Sequence, residues 1–151
     1  MKSKTILMTL AVLFAGAAVC FAADANMGTW KLNEAKSKLA PGAGKNHTVV
    51  YAAAGDNVKV TVDGIDGDGK AAHNEWTGKF DGKDYKVTGA VGYDTRAYTK
   101  VDDRTLDMTV KTSGKVTITG KIVVSADGKS RTVSTTGAEA QMNGTAFYDR
   151  Q

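Results

Sequence analysis

Four turn signals punctuate this chain: Asp66-Gly67-Asp68-Gly69, Asp81-Gly82, Ser113-Gly114 and Asp127-Gly128, each flanked by strand-like sequence. Asp-Gly readily takes the positive-φ positions of tight hairpin turns, so the pattern joins neighbouring strands in antiparallel order. Between the turns, apolar and polar residues alternate. Val58, Val60 and Val62 alternate with Lys59, Thr61 and Asp63, and Leu106, Met108 and Val110 with Asp107, Thr109 and Lys111. A period of two marks a strand with one buried face, and the abundance of Val, Thr and Tyr agrees with that. Lys follows the turns at residues 70, 83, 115 and 129. The spacings are unequal, so this is repeated turn chemistry and not a solenoid.

The alternation predicts strands over 27–33, 47–54, 57–65, 71–80, 84–90, 94–101, 104–112, 115–126, 129–136 and 143–149. Segment 34–46 is the exception. There Asn33 is expected to cap a turn of helix carrying Ala35 and Leu39, ended by Pro41, Gly42 and Gly44. A meander of this kind exposes two sheet edges, which closure into a barrel removes. The expectation is an all-β, antiparallel up-and-down meander of about eight to ten strands closed on itself.

Residues 1–25 read as a cleaved export signal. Lys2 and Lys4 precede an apolar stretch from Ile6 to Ala18, shorter than the roughly 20 residues a membrane span needs. Cleavage suits Ala22 or Ala25, and residues 26–151 then form one domain. A retained anchor is the alternative. A lipid anchor at Cys20 is a poor match, because Ala17 and Val19 stand where a lipobox wants a Leu-like and a small residue. The expected location is periplasmic or secreted, with no integral membrane span after processing.

Cys20 is the single Cys, which excludes a disulfide framework. Lys and Arg number 20 against 16 Asp and Glu, and two of those lysines leave with the signal. The remaining cations are dispersed among acids. Neither nucleic-acid binding nor a polybasic membrane patch has an electrostatic footprint.

Catalytic chemistry has little to work with. The two histidines, His47 and His73, have no G-x-S-x-G beside them, and both are expected on exposed faces. Asp63, Asp66 and Asp68 suggest a calcium loop, but Lys70 stands where one needs an acid and Thr77 where one needs a Glu. Glycine-rich turns lead into strands and not helices, so no phosphate cradle forms at a helix start. Asn46-His47-Thr48 and Asn143-Gly144-Thr145 are glycosylation sequons only in a eukaryotic secretory pathway. No enzyme activity, metal or cofactor is expected.

The segment Met27-Gly28-Thr29-Trp30-Lys31-Leu32 places a Gly-x-Trp on the first strand of a hairpin meander. In this the chain resembles the calycin superfamily of lipocalins and fatty-acid-binding proteins. The resemblance implies a lipocalin-like barrel in which Trp30 is a structural plug at the closed end. Thr145-Ala146-Phe147-Tyr148-Asp149-Arg150 also looks like the last strand of fatty-acid-binding proteins, where an Arg-x-Tyr pair holds a ligand carboxylate. Here Ala146 stands where that Arg would be, and 34–46 is too short for the two-helix lid. The Gly-Thr-Trp-Lys-Leu-Asn opening is similar to that of small exported bacterial proteins of unknown role.

Strand parity turns Trp30, Val60, Val62, Trp76, Leu106, Met108, Ile122, Val133 and Tyr148 inward, with Gly78, Gly89, Gly120 and Ala97 among them. Small inward residues in a wide barrel leave a void open at one end, lined by Asn74, Trp76, Met108, Arg131 and Tyr148. Asn74 or Arg131 would orient a polar head. A buried Arg131 needs a carboxylate from protein or ligand. Alternatively, Arg131 snorkels to water at the rim, three residues after its turn. The expected function is binding of a small hydrophobic or amphipathic ligand without chemistry. The alternative is a solid β-domain acting through surface contacts with a protein partner.

Overall fold

The computed structural model describes residues 24–89 and 92–151. The expected signal segment and Cys20 therefore fall almost wholly outside the described residues.

Eleven strands form one antiparallel sheet: β1 Gly28–Leu32, β2 Lys38–Leu39, β3 Lys45–Ala54, β4 Asn57–Ile65, β5 Ala71–Gly78, β6 Tyr85–Thr88, β7 Thr95–Asp102, β8 Thr105–Thr112, β9 Lys115–Val124, β10 Ser130–Gly137 and β11 Gly144–Arg150. From β3 onward each strand pairs with its chain neighbour, and β1 pairs with both β3 and β11. Ten strands thus close into a barrel, as the hairpin signals required. In the closing seam Trp30 faces Arg150 and Leu32 faces Tyr148.

After β1 the expected turn capped by Asn33 forms around Ala35 but does not reach Leu39. Only one 3-10 turn forms, Glu34–Lys36, whose Lys36 N–H is accepted by the Asn33 side chain. The chain then rejoins the sheet as β2, pairing Leu39 with Gly144 and Lys38 with Thr145. β1 and β2 are in effect one interrupted strand along β11. A Leu39 that completes the wall buries more apolar surface than a free helical turn would.

Bulges lie between Asn46 and Thr48, Lys100 and Asp102, and Val110 and Lys111. Such extra residues bend a strand and help a sheet curl shut. The wall is thinnest at β6, where only Val87 and Thr88 pair with β5, and Tyr85 and Lys86 with β7.

The core occupies the end of the barrel nearest Trp30. Trp30, Trp76, Val60, Leu106 and Val124 are fully buried there. Trp76 stacks on Phe80 and meets Tyr85 and Tyr98 edge to face. The small residues do not hollow the interior in the way the alternation suggested. Gly78 makes room for the Tyr85 and Trp76 rings, which a Cβ would approach to 2.5 and 2.7 Å. Gly120 is filled by the Met108 methyl, 2.9 Å from where its Cβ would stand. Ala97 has the opposite parity to Arg96 and Tyr98, the residues of β7 that line the interior.

Candidate functional site

The Trp30 end of the barrel is shut by the chain itself. The indole N–H of Trp30 donates to the Asn26 carbonyl at 2.9 Å, and the Arg150 guanidinium lies 4.4 Å over the indole ring. Arg150 also donates to the carbonyls of Gly128 (2.7 Å), Met27 (2.8 Å) and Ala25. One guanidinium therefore ties the entering chain, the β9–β10 turn and the last strand around the indole. Arg is suited to this because its planar fork donates in several fixed directions. Asp24 completes the entry by accepting from the Asn26 backbone N–H and amide and from Lys100. Burial pushes the Asp24 carboxyl up, but those bonds together hold it below the usual carboxylate range.

The opposite end is open. Loop residues 42–44, 66–67, 92–93 and 141–143 surround the mouth of a cavity of about 510 Å³. Its wall includes Val49, Tyr51, Val62, Met108, Ile118, Ile122 and Val133. A smaller recess of about 100 Å³ branches beneath Leu32, Leu39 and Ala146. Volumes of this order accommodate small organic molecules.

Two guanidiniums line the same space. Arg131, at the start of β10, is 2% exposed, which removes the rim-snorkelling alternative. Its neighbours in the ladder, Tyr148 and Val124, are buried too, so its side chain has no path to the rim. The rings of Trp30, Tyr51 and Tyr148 surround it at 4.8, 4.8 and 5.0 Å. Among the described residues its Nε and Nη1 have no acceptor. Aromatic faces attract a cation but accept no strong hydrogen bond from it.

Arg96 on β7 is 5% exposed and better served. It donates to Asn74 Oδ1 at 3.0 Å and to the hydroxyls of Tyr93 (3.2 Å) and Tyr98 (3.4 Å). The Tyr98 hydroxyl lies 3.5 Å from that of Tyr51, whose ring packs on Arg131. A tyrosine bridge therefore connects the two cations. Burial drives the Tyr51 phenol far above its ordinary value and pushes Tyr148 up to about 12. Both hydroxyls remain neutral at physiological pH. Among the described residues no carboxylate forms an ion pair with either arginine, and Asp66 at the mouth is the cavity's single acidic lining residue.

Of the residues singled out by parity, Met108, Arg131 and Tyr148 lie on the cavity wall. Asn74 and Trp76 stand behind it: Asn74 holds Arg96, and the Trp76 indole N–H donates to the Arg96 carbonyl at 2.8 Å. Sequence reasoning missed Tyr51, Tyr93, Arg96 and Tyr98. β3 is apolar on both faces, with Val49 and Tyr51 against Val50 and Ala52, so its parity was ambiguous. On β7, Arg96 and Tyr98 share a face with Lys100, and two cations disguised the inward side.

The histidines are on the outside of the wall. His73 Nδ1 is 2.6 Å from Asp63, and His47 is 3.7 Å from Glu34, all four side chains being largely exposed. The Asp63 hydrogen bond chiefly raises the His73 pKa, against a smaller opposing effect of desolvation. No group of three acidic, His or Cys side chains among the described residues converges as a metal site. No helix among them is long and apolar enough to cross a membrane.

Fold and site together define a class: a closed, ten-stranded antiparallel barrel with a plugged base and a cavity open at the other end. No protein-family model matches the chain, and no curated protein matches it significantly.

Proposed function

We propose that this protein binds a small amphipathic molecule inside its barrel, without chemistry, and that it is an exported, calycin-like carrier. The observation that carries the reading is the cavity of about 510 Å³, open at one end and lined by apolar side chains with a few polar groups. A mostly apolar concavity with sparse, convergent polar groups is the usual form of a small-molecule site. The plug of Trp30 by Arg150 supports the calycin resemblance drawn from Gly28-Thr29-Trp30. The outward histidines, each beside an exposed carboxylate, support binding over catalysis. Export rests on the composition of residues 1–25.

Titration with decanol, a neutral single-chain amphiphile, tests the reading by calorimetry. Saturable one-to-one binding is expected, weakened when Val133→Trp fills the wall in a variant that keeps its circular dichroism. Native mass spectra of protein gently isolated from cells are expected to carry a co-purified small molecule. Protein that is empty in those spectra and indifferent to decanol and decanoate overturns the proposal.

A further inference from the structure

Resting on that interior reading, we infer that the occupant is two-headed: a dianion with an acidic oxygen group at each end of an apolar middle, one end at Arg131 and the other at Arg96. Strand direction sets these cations apart. β10 runs from the closed end to the mouth loop around Asn143, so Arg131, at its second position, lies deep. β7 leaves the mouth loop of Gly92 and Tyr93, so Arg96, at its second position, lies nearer the opening. Two tyrosines stand between them. The Tyr51 ring lies 4.8 Å from the Arg131 guanidinium, the Tyr51 and Tyr98 hydroxyls are 3.5 Å apart, and Arg96 reaches Tyr98 at 3.4 Å. Met108, Ile122 and Val133 give the same space an apolar wall.

The charge follows from what the two arginines lack. Both are buried, and neither has a carboxylate partner among the described residues. Arg96 donates through its terminal nitrogens to one amide oxygen and two phenolic oxygens, those of Asn74, Tyr93 and Tyr98. Its Nε has no acceptor among the described residues, and Arg131 lacks one at both Nε and Nη1. Asp66, at the mouth, already accepts the Asp68 and Lys70 backbone N–H groups within its own turn. The interior therefore carries two positive charges. A buried charge is costly until an opposite one shares its space, so a single anionic head would answer only half of the demand. A head-and-tail amphiphile would also set its apolar tail against the second cation. Anionic oxygens accept well from a guanidinium fork, and one group at each end serves both arginines.

Calorimetry with hexanedioate, octanedioate and decanedioate at neutral pH, each beside its monomethyl ester, tests the inference. The diacid whose length matches the span between the guanidiniums should bind about tenfold or more tighter than its own ester. Arg131→Met and Arg96→Met should each erase that preference while leaving decanol within about twofold. A second measurement uses the unaltered protein and so does not depend on a variant folding. The same diacid, labelled with carbon-13 at both carboxyls, is symmetric in solution; bound, it should give two carboxyl resonances, both titrating at lower pH than the free acid. Diacid and ester binding equally, a preference that survives either substitution, or a bound carboxyl that titrates as the free acid overturns the two-headed inference. Decanol still binding in those cases leaves the interior reading intact. Failure of the diacids, the esters and decanol alike overturns both.

Discussion

Truncating Arg150 to Ala should loosen the closed end far more than an ordinary surface substitution does. The side chain makes three hydrogen bonds to the carbonyls of Ala25, Met27 and Gly128, and covers the Trp30 indole at 4.4 Å. Arg150 is half-buried, so the freed carbonyls recover part of their hydration. About 1 kcal/mol per lost bond is therefore a fair figure, below the range for fully desolvated charged pairs. The cation–π contact adds about 1 kcal/mol, for a total near 4 kcal/mol. For a domain of roughly 125 residues, 1 kcal/mol corresponds to about 4 °C, so the melting temperature should fall by about 15 °C. Urea unfolding followed by tryptophan fluorescence measures the loss directly, with an unchanged m-value expected. Arg150→Lys should recover little, because one ammonium cannot reach three carbonyls on separate segments. A loss below about 1 kcal/mol for Arg150→Ala would place this residue among ordinary surface positions and refute the clasp argument.

Three further outcomes follow from the same geometry. Gly78→Val should destabilise the barrel by about 1–3 kcal/mol in thermal melts, because its Cβ meets the Tyr85 and Trp76 rings; an unchanged melting temperature would show that the aromatic cluster yields freely. His73 should titrate above the ordinary histidine value in proton NMR and return toward it in Asp63→Asn. Because its folded pKa is raised, its contribution is complete below the unfolded pKa and fades as pH rises through the folded one. Asp24→Asn should cost up to about 1 kcal/mol at neutral pH, a figure discounted for its partial exposure. The folded Asp24 pKa is depressed, so that difference should persist above the unfolded value and vanish as pH falls through the folded one. A gap between the two proteins that is independent of pH would remove the carboxylate from the account.

The same Asp24 contacts bear on the two cleavage positions expected from sequence. The Asn26 side chain is fully buried, and Asp24 bonds to it and to Lys100. A chain beginning at Asn26 loses those bonds, and the Arg150 bond to Ala25 with them. Sequence offers Ala22, and Ala25 at the end of the A-x-A run Ala23-Asp24-Ala25; the Asp24 contacts survive only in a chain that keeps that residue.

Strand existence and order were legible because hairpins are local. Asp81-Gly82 and Asp127-Gly128 state a reversal within a few residues, and Val58 to Val62 state which side is buried. The turn capped by Asn33 forms over Glu34–Lys36, but it stops short of Leu39 for a reason no local pattern carries. Leu39 found a partner in Gly144, more than a hundred residues away in the chain, and extended pairing prevailed. Gly78 and Gly120 likewise suggested empty space, yet Tyr85 and Met108 reach across from other strands to fill it.

The chain by itself therefore determined an all-β meander and an indole at the start of its first strand, since both depend on neighbours in sequence. Only the tertiary structure decided that Arg131 is enclosed by Trp30, Tyr51 and Tyr148, and that Arg96 meets Asn74 and Tyr93. Apart from Tyr93, which precedes Arg96 by three residues, those side chains come from different strands, and curling of the sheet brings their inward faces together. The balance of charge inside the barrel is set by that convergence, and no single strand contains it.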